Sequence, residues 1–351
     1  MDWSINNGNG KHKRVVVITG ASAGVGRATV REFAKKGADI ALIARGIDGL
    51  EGAKREVEEM GGRALIFSID VSDADAVERA AAETEEKLGP IDVWVNNAMN
   101  SVFSPVKDMK AEEYKRVTEV TYLGQVYGAL SALKRMRPRN RGSIVFVGSA
   151  LAYRGIPLQS AYCAAKHAIE GFYDSLRTEL MHDESQINIC MVQLPAMNTT
   201  QFGFVKSRLP NKPKPMGMIF KPELAAETIE YASRHNRREI YMGSPTVKAI
   251  VGNKIAPWYA DRVLAKTGFE GQMTDEPEDP NRKDNLWEPI PGDHGAHGPF
   301  IEESHSFSPQ LWATTHRGLT AAALASLVAG GIFLYSKLTS HSHNGYAHSL
   351  K

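Results

Sequence analysis

Tyr162 and Lys166 stand four residues apart in the alanine-rich run AYCAAKHAIEGF. On a helix that spacing stacks the two side chains on one face, about one turn apart. A tyrosine hydroxyl titrates near pH ~10 in water, which makes it a poor proton donor or acceptor at neutrality. A neighbouring ammonium favours the phenolate and so makes the hydroxyl usable for proton transfer. Ser149 precedes Tyr162 by 13 residues, at the end of the apolar run SIVFVG. A hydroxyl at the carboxyl end of a buried strand can hydrogen-bond the same substrate oxygen as the tyrosine. About one Tyr-x-x-x-Lys pair is expected by chance in a chain with eleven tyrosines. The pair therefore gains meaning only from the elements that place it.

Those elements alternate. VVVIT (15–19) is a β-branched run with the look of a strand buried on both faces. A glycine turn follows, with Gly20, Gly24 and Gly26, and then an amphipathic helix through Val30, Phe33 and Ala34 that ends at Gly37. A glycine cluster alone is often only a loop. Lodged between strand and helix it is a phosphate-binding device, because the backbone can approach a pyrophosphate and the helix N-terminus offers free N–H groups. Strands are expected at 39–44, 63–70, 91–99, 141–149, 187–195 and 238–243, and helices at 50–61, 73–88, 111–137, 157–181, 222–236 and 246–267. Such alternation with short loops gives the fold class α/β, a Rossmann-like doubly wound parallel sheet of about seven strands.

The second strand ends in Ala44-Arg45. An acid at this position binds the ribose 2′-hydroxyl of NAD, whereas an arginine accommodates the 2′-phosphate of NADP. The bland reading of Arg45 is an exposed loop charge. Asp70 and Val71 end the third strand and are placed to meet the adenine edge. The net charge of +2 gives no reason to expect nucleic acid or acidic partners. Cys163 and Cys190 form neither a disulfide framework nor a metal-ligand spacing, which fits a reducing compartment. Residues 1–13 are polar and precede too short an apolar run for a signal peptide, so the catalytic part is expected in the cytoplasm.

Taken together these motifs resemble the short-chain dehydrogenases/reductases across about residues 14–265. The family's glycine turn stands as Thr19-Gly20-Ala21-Ser22-Ala23-Gly24-Val25-Gly26, its Asn-Asn-Ala-Gly as Asn96-Asn97-Ala98-Met99, and its Tyr-x-x-x-Lys as Tyr162 to Lys166. Its Pro-Gly stands as Pro195-Ala196, with Thr199 at a cofactor-binding threonine position. The resemblance implies hydride transfer between a nicotinamide and a carbonyl or secondary alcohol, with NADP(H) ahead of NAD(H) and no metal. It implies Ser149, Tyr162 and Lys166 as catalytic residues. Gly20, Ser22, Ala23, Gly24, Val25, Gly26, Arg45, Asp70, Val71, Asn97, Ala98, Pro195 and Thr199 would join Tyr162 and Lys166 in holding the cofactor. A homodimer or homotetramer is the family's usual assembly. Met99 departs from a glycine and should narrow the pocket; Thr121 departs from an asparagine that supports a water relay. These two departures support the rival reading, a non-catalytic NADP(H)-binding regulator or scaffold. Residues 196–220 hold Met197, Phe202, Phe204, Met216 and Met218, and are expected to lid a lipophilic substrate.

Beyond the domain at 14–269, residues 270–316 shift to Asp, Glu, Pro, Gly and His and are expected to be a flexible linker. Its histidines His294, His297 and His305 are expected to be solvated rather than metal-bound. Gly318 to Leu338 is 21 residues long, which as a helix spans about 31 Å, close to the ~30 Å hydrocarbon core. The expectation is a transmembrane anchor over 317–338, with a polar tail at 339–351. A docking helix is the alternative.

Overall fold

The computed structural model describes residues 13–345. Seven parallel strands form the central sheet: β1 (Val15–Thr19), β2 (Asp39–Ala44), β3 (Ala64–Ser68), β4 (Ile91–Asn96), β5 (Ser143–Ser149), β6 (Asn188–Leu194) and β7 (Glu239–Tyr241). Their order is β7-β6-β5-β4-β1-β2-β3. Every residue of β1, β2, β5 and β6 is buried, as near-continuous apolar runs require when helices cover both sheet faces. Trp94, Ile144, Phe146, Ile189 and Met191 share one core cluster. Each such side chain contributes about 1.5–3 kcal/mol by leaving water. The chain winds outward from β1 to β3, then returns to β4 on the other side of β1. At that reversal a crevice opens at the carboxyl ends of the strands.

The covering helices are α1 (Gly24–Lys35), α2 (Ile47–Glu59), α3 (Ala74–Leu88), α4 (Ala111–Val117), α5 (Gly124–Met136), α6 (Ser160–His182) and α7 (Pro222–Arg234). The long helix expected over 111–137 is present and continuous from Ala111 to Met136, with one irregular turn inside it. A π-helical turn, Thr118–Leu123, joins α4 to α5, and such turns occur frequently at functional sites. Here Thr121 Oγ1 donates to the Asn100 carbonyl and accepts from the Asn100 N–H, both at 3.0 Å. The helix expected over 246–267 is two, α8 (Gly243–Ile255) and α9 (Pro257–Thr267). Pro257 lacks an N–H and cannot continue α8, but it suits the first turn of α9.

Two expectations for the C-terminal part are corrected. Residues 270–307 are not a flexible linker. Met273–Pro277 pairs antiparallel with Asn211–Pro213, Ser304–His305 pairs with Ile219–Phe220, and Leu286, Ala296 and Phe300 are buried. Composition misled because this segment is fixed by its backbone groups and a few apolar anchors. Its histidines His294, His297 and His305 are solvent-exposed, as expected, with His297 Nε2 2.8 Å from Glu223 Oε1 and His294 against the Phe204 ring. The described residues from 308 to 345 form a second unit holding α10 (Pro309–Thr315) and α11 (Arg317–Gly345). Among the described residues no helix is long and apolar enough to cross a membrane. The transmembrane expectation fails there: Gly318, Thr320, Ser326, Gly330 and Gly331 dilute the apolar stretch. α11 also runs on through Gly345, into part of the expected polar tail.

Candidate active site

The site residues named from the sequence converge. All of them line one cavity of about 870 Å³ at the carboxyl end of the sheet. Six of the seven strands lead into them: β1 the glycine turn, β2 Arg45, β3 Asp70 and Val71, β4 Asn97 and Ala98, β5 Ser149, and β6 Pro195.

The glycine turn is built for close approach. Gly20 has φ +70°, and a Cβ there would lie 2.7 Å from Asn97 Nδ2. At Gly26 a Cβ would lie 1.9 Å from the Gly20 carbonyl oxygen, so α1 packs directly on the turn. Thr19 ties the turn to β4: its Oγ1 accepts from the N–H groups of Asn97 and Ala98 at 2.9 and 3.0 Å. The resulting backbone cradle beside a helix N-terminus fits the pyrophosphate of a dinucleotide.

Ser149 ends β5 and its Oγ accepts from Leu151 N–H at 3.1 Å. Tyr162 and Lys166 lie one turn apart on α6, with Nζ 5.5 Å from the tyrosine ring centre. Lys166 is 2 % exposed, and its Nζ donates to the Val147 carbonyl at 2.6 Å. Burial lowers its pKa to about 7. Burial also holds the Tyr162 phenol well above its ordinary value, while the Ser149 hydroxyl pulls the other way. The sequence expectation was an ammonium that draws the phenol down. In the protein alone burial dominates both groups instead. Leu158, just before α6, sits at φ +69°, a strained conformation for a bulky side chain. Its carbonyl accepts from Ser104 N–H at 2.8 Å, which pins the entry to α6.

At the other end of the cavity Arg45 is not an exposed loop charge. Its guanidinium donates to the carbonyls of Asn285, Leu286 and Trp287. Asp70 is paired with Arg116 and accepts from Ser72, and these bonds overcome the upward push of burial to hold its carboxyl below the usual range. The loop 196–220 is not a free lid. It is held by strand pairs, and Phe202 packs edge-on against Phe300 and Phe103 at 5.7 and 6.2 Å between ring centres. Met218, beside Gly217 at φ +88°, is its exposed tip.

Sequence reasoning missed Arg116, Asn100, Gln193 and the Asn285–Asp293 segment. No motif announces them, because each acts through contacts more than twenty residues away in the chain.

The short chain dehydrogenase family model matches residues 14–208. The chain belongs to that family. This short-chain dehydrogenase is 31% identical over 320 residues to an uncharacterized oxidoreductase, YxnA, of Bacillus subtilis, covering 90% of this chain and 89% of that one. It is 33% identical over 227 residues to a 3-ketodihydrosphingosine reductase of Bos taurus, covering 61% of this chain and 66% of the relative. Among solved structures it resembles an alcohol dehydrogenase from the archaeon Thermococcus sibiricus complexed with 5-hydroxy-NADP. That match has TM-score 0.55 and 28% identity, over 66% of this chain and 96% of the other.

Proposed function

We propose that the protein is an NADP(H)-dependent oxidoreductase interconverting a ketone and a secondary alcohol on a lipophilic substrate. The observation that carries this reading is the meeting of Ser149, Tyr162 and Lys166 in the same cavity as the glycine cradle. A bound nicotinamide supplies or accepts the hydride. In reduction the Ser149 hydroxyl orients the carbonyl oxygen, and Tyr162 gives that oxygen its proton as the carbonyl carbon gains the hydride. Lys166 holds the nicotinamide ribose and, when protonated, favours the phenolate left on Tyr162.

Gly20, Ser22, Ala23, Gly24, Val25 and Gly26 would cradle the pyrophosphate, with Asn97, Ala98, Pro195 and Thr199 around the nicotinamide half and Arg45, Asp70 and Val71 around the adenosine. NADP(H) is favoured because the end of β2 carries Arg45 and no acid. Lipophilic substrates are favoured by Met99, Phe103, Met197, Phe202, Phe204 and Met216 on the cavity wall. The sphingoid-ketone reductase among the relatives fits a long-chain ketone. A homodimer or homotetramer follows from the family. Purified protein with NADPH, assayed against ketones of rising chain length, tests the proposal: turnover that rises with apolar length supports it. Tight cofactor binding with no turnover on any ketone would leave the regulator reading in its place.

A further inference from the structure

The segment from Asp284 to Gly298 takes part in none of the steps above, yet it is bolted to the nucleotide-binding half by three arginines. Arg45 Nη1 donates to the Trp287 carbonyl at 2.7 Å, and Nη2 to that of Asn285. Arg116 Nε donates to the Leu286 carbonyl at 3.0 Å. The Leu286 side chain is fully buried in a cluster with Val102, Val117, Ala161 and Ala165. Further along, Asp293 accepts from both terminal nitrogens of Arg27 at 3.0 and 3.2 Å. The Gly24 N–H, at the start of α1, donates to the Gly295 carbonyl at 3.0 Å.

The segment thus reaches from the end of β2 to the N-terminus of α1. Its Asn285, Pro289, Ile290 and His294 line the same cavity as Gly20 and Ser22. The space between these two walls stays open. Arg45 is also not used up by the segment, since a guanidinium has five N–H donors and these bonds engage only its terminal nitrogens.

We propose that residues 284–298 are a strap that retains the dinucleotide, so that cofactor enters and leaves only when the contacts at Arg45, Arg27 and Gly24 open. The inference rests on the reading that the cleft holds a nicotinamide dinucleotide, and it holds for NADP(H) and NAD(H) alike. Opening the strap breaks several charge-assisted hydrogen bonds and brings Leu286 into water, which makes release slow. It also gives Arg45 a second task, as the rivet that joins the strap to the adenosine end.

The test uses the full chain loaded with NADPH and chased with excess NADP⁺, following the loss of NADPH fluorescence by stopped flow. Leu286→Ala removes the apolar anchor; Asp293→Asn keeps the shape but removes the charge facing Arg27. Each variant should release NADPH roughly tenfold faster than wild type, the size expected for one lost apolar anchor in Leu286→Ala and one lost charge-assisted contact in Asp293→Asn. NADPH should also slow tryptic cleavage after Arg282 and Lys283, at the root of the strap. Release within about twofold of wild type in both variants, with unchanged thermal unfolding, overturns the strap. Slower release from the loosened variants overturns it too, since it would mean the strap competes with the cofactor. If the wild type binds neither NADPH nor NADH, the dinucleotide reading and the strap fall together; binding with unaltered release removes the strap alone.

Discussion

The side-chain oxygen of Gln193 accepts a hydrogen bond from the backbone N–H of Ser149 at 2.7 Å. Gln193 is fully buried on β6, and its Nε2 donates to Glu170 at 3.0 Å and Glu239 at 3.2 Å. Two carboxylates therefore fix the amide, and the amide fixes the end of β5. Removing it leaves a buried N–H unpaired at a cost of about 1–3 kcal/mol. Gln193→Ala should lower kcat about tenfold through a displaced Ser149, with cofactor affinity unchanged. Steady-state kinetics beside cofactor titration checks this; a parallel loss of cofactor affinity would mean a general structural defect.

Tyr162→Phe deletes one hydroxyl and keeps the ring packed in the cavity wall. Turnover should fall by about 10²–10⁴-fold, the range for loss of a general acid. NADPH binding, followed by fluorescence, should stay near wild type. Near-normal turnover would show that the proton comes from elsewhere.

Lys166 gives a pH-dependent stability effect whose sign follows from its burial. Its pKa falls from 10.5 to about 7, so between those values the folded protein binds fewer protons here than the unfolded chain. The stability of the wild type should therefore rise with pH across that window, and the full cost of burying the ammonium is felt below about pH 7. Lys166→Met removes a penalty of roughly 5 kcal/mol at most. Melting curves should show the variant's advantage largest near pH ~6 and shrinking toward pH ~9. A constant difference across pH would mean that the lysine is not desolvated.

Arg45 stands at the end of β2 with no acid beside it in the strand-end turn. NADP(H) should bind at least about tenfold tighter than NAD(H), worth about 1.4 kcal/mol. Arg45→Ala should narrow that gap, because a phosphate contact from a guanidinium is charge-assisted. Calorimetry with both cofactors decides, and equal affinities in the wild type would contradict the assignment.

The sheet was legible because its strands are short apolar runs between turn signals: Val15–Thr19 and Asp39–Ala44 fall where the pattern puts them. The site was legible for a related reason, since its residues sit at strand ends or one helical turn apart, where local spacing fixes geometry. The strap was not legible. Between Asp279 and Gly298 the chain has no periodicity, and its order comes from carbonyls that meet Arg45 and Arg116, partners chosen by the fold. The π-helical turn at Thr121 was hidden too, because the apolar spacing of 111–137 continues through it while Thr121 bonds the Asn100 backbone, a partner 21 residues away. The apolar C-terminal stretch is the opposite case: its length and lack of charge suggest a membrane span, while the glycines and hydroxyl residues inside it keep it below the apolarity a span needs.

The central claim is hydride transfer to a ketone carbon at Tyr162, and isotope transfer tests it most directly. NADPH carrying deuterium at the transferable position is incubated with the protein and a long-chain ketone, and the alcohol is examined by mass spectrometry. The account expects alcohol carrying deuterium on the carbinol carbon from wild type and almost none from Tyr162→Phe. NADPH bound at the site with no labelled alcohol from any ketone tried would contradict it.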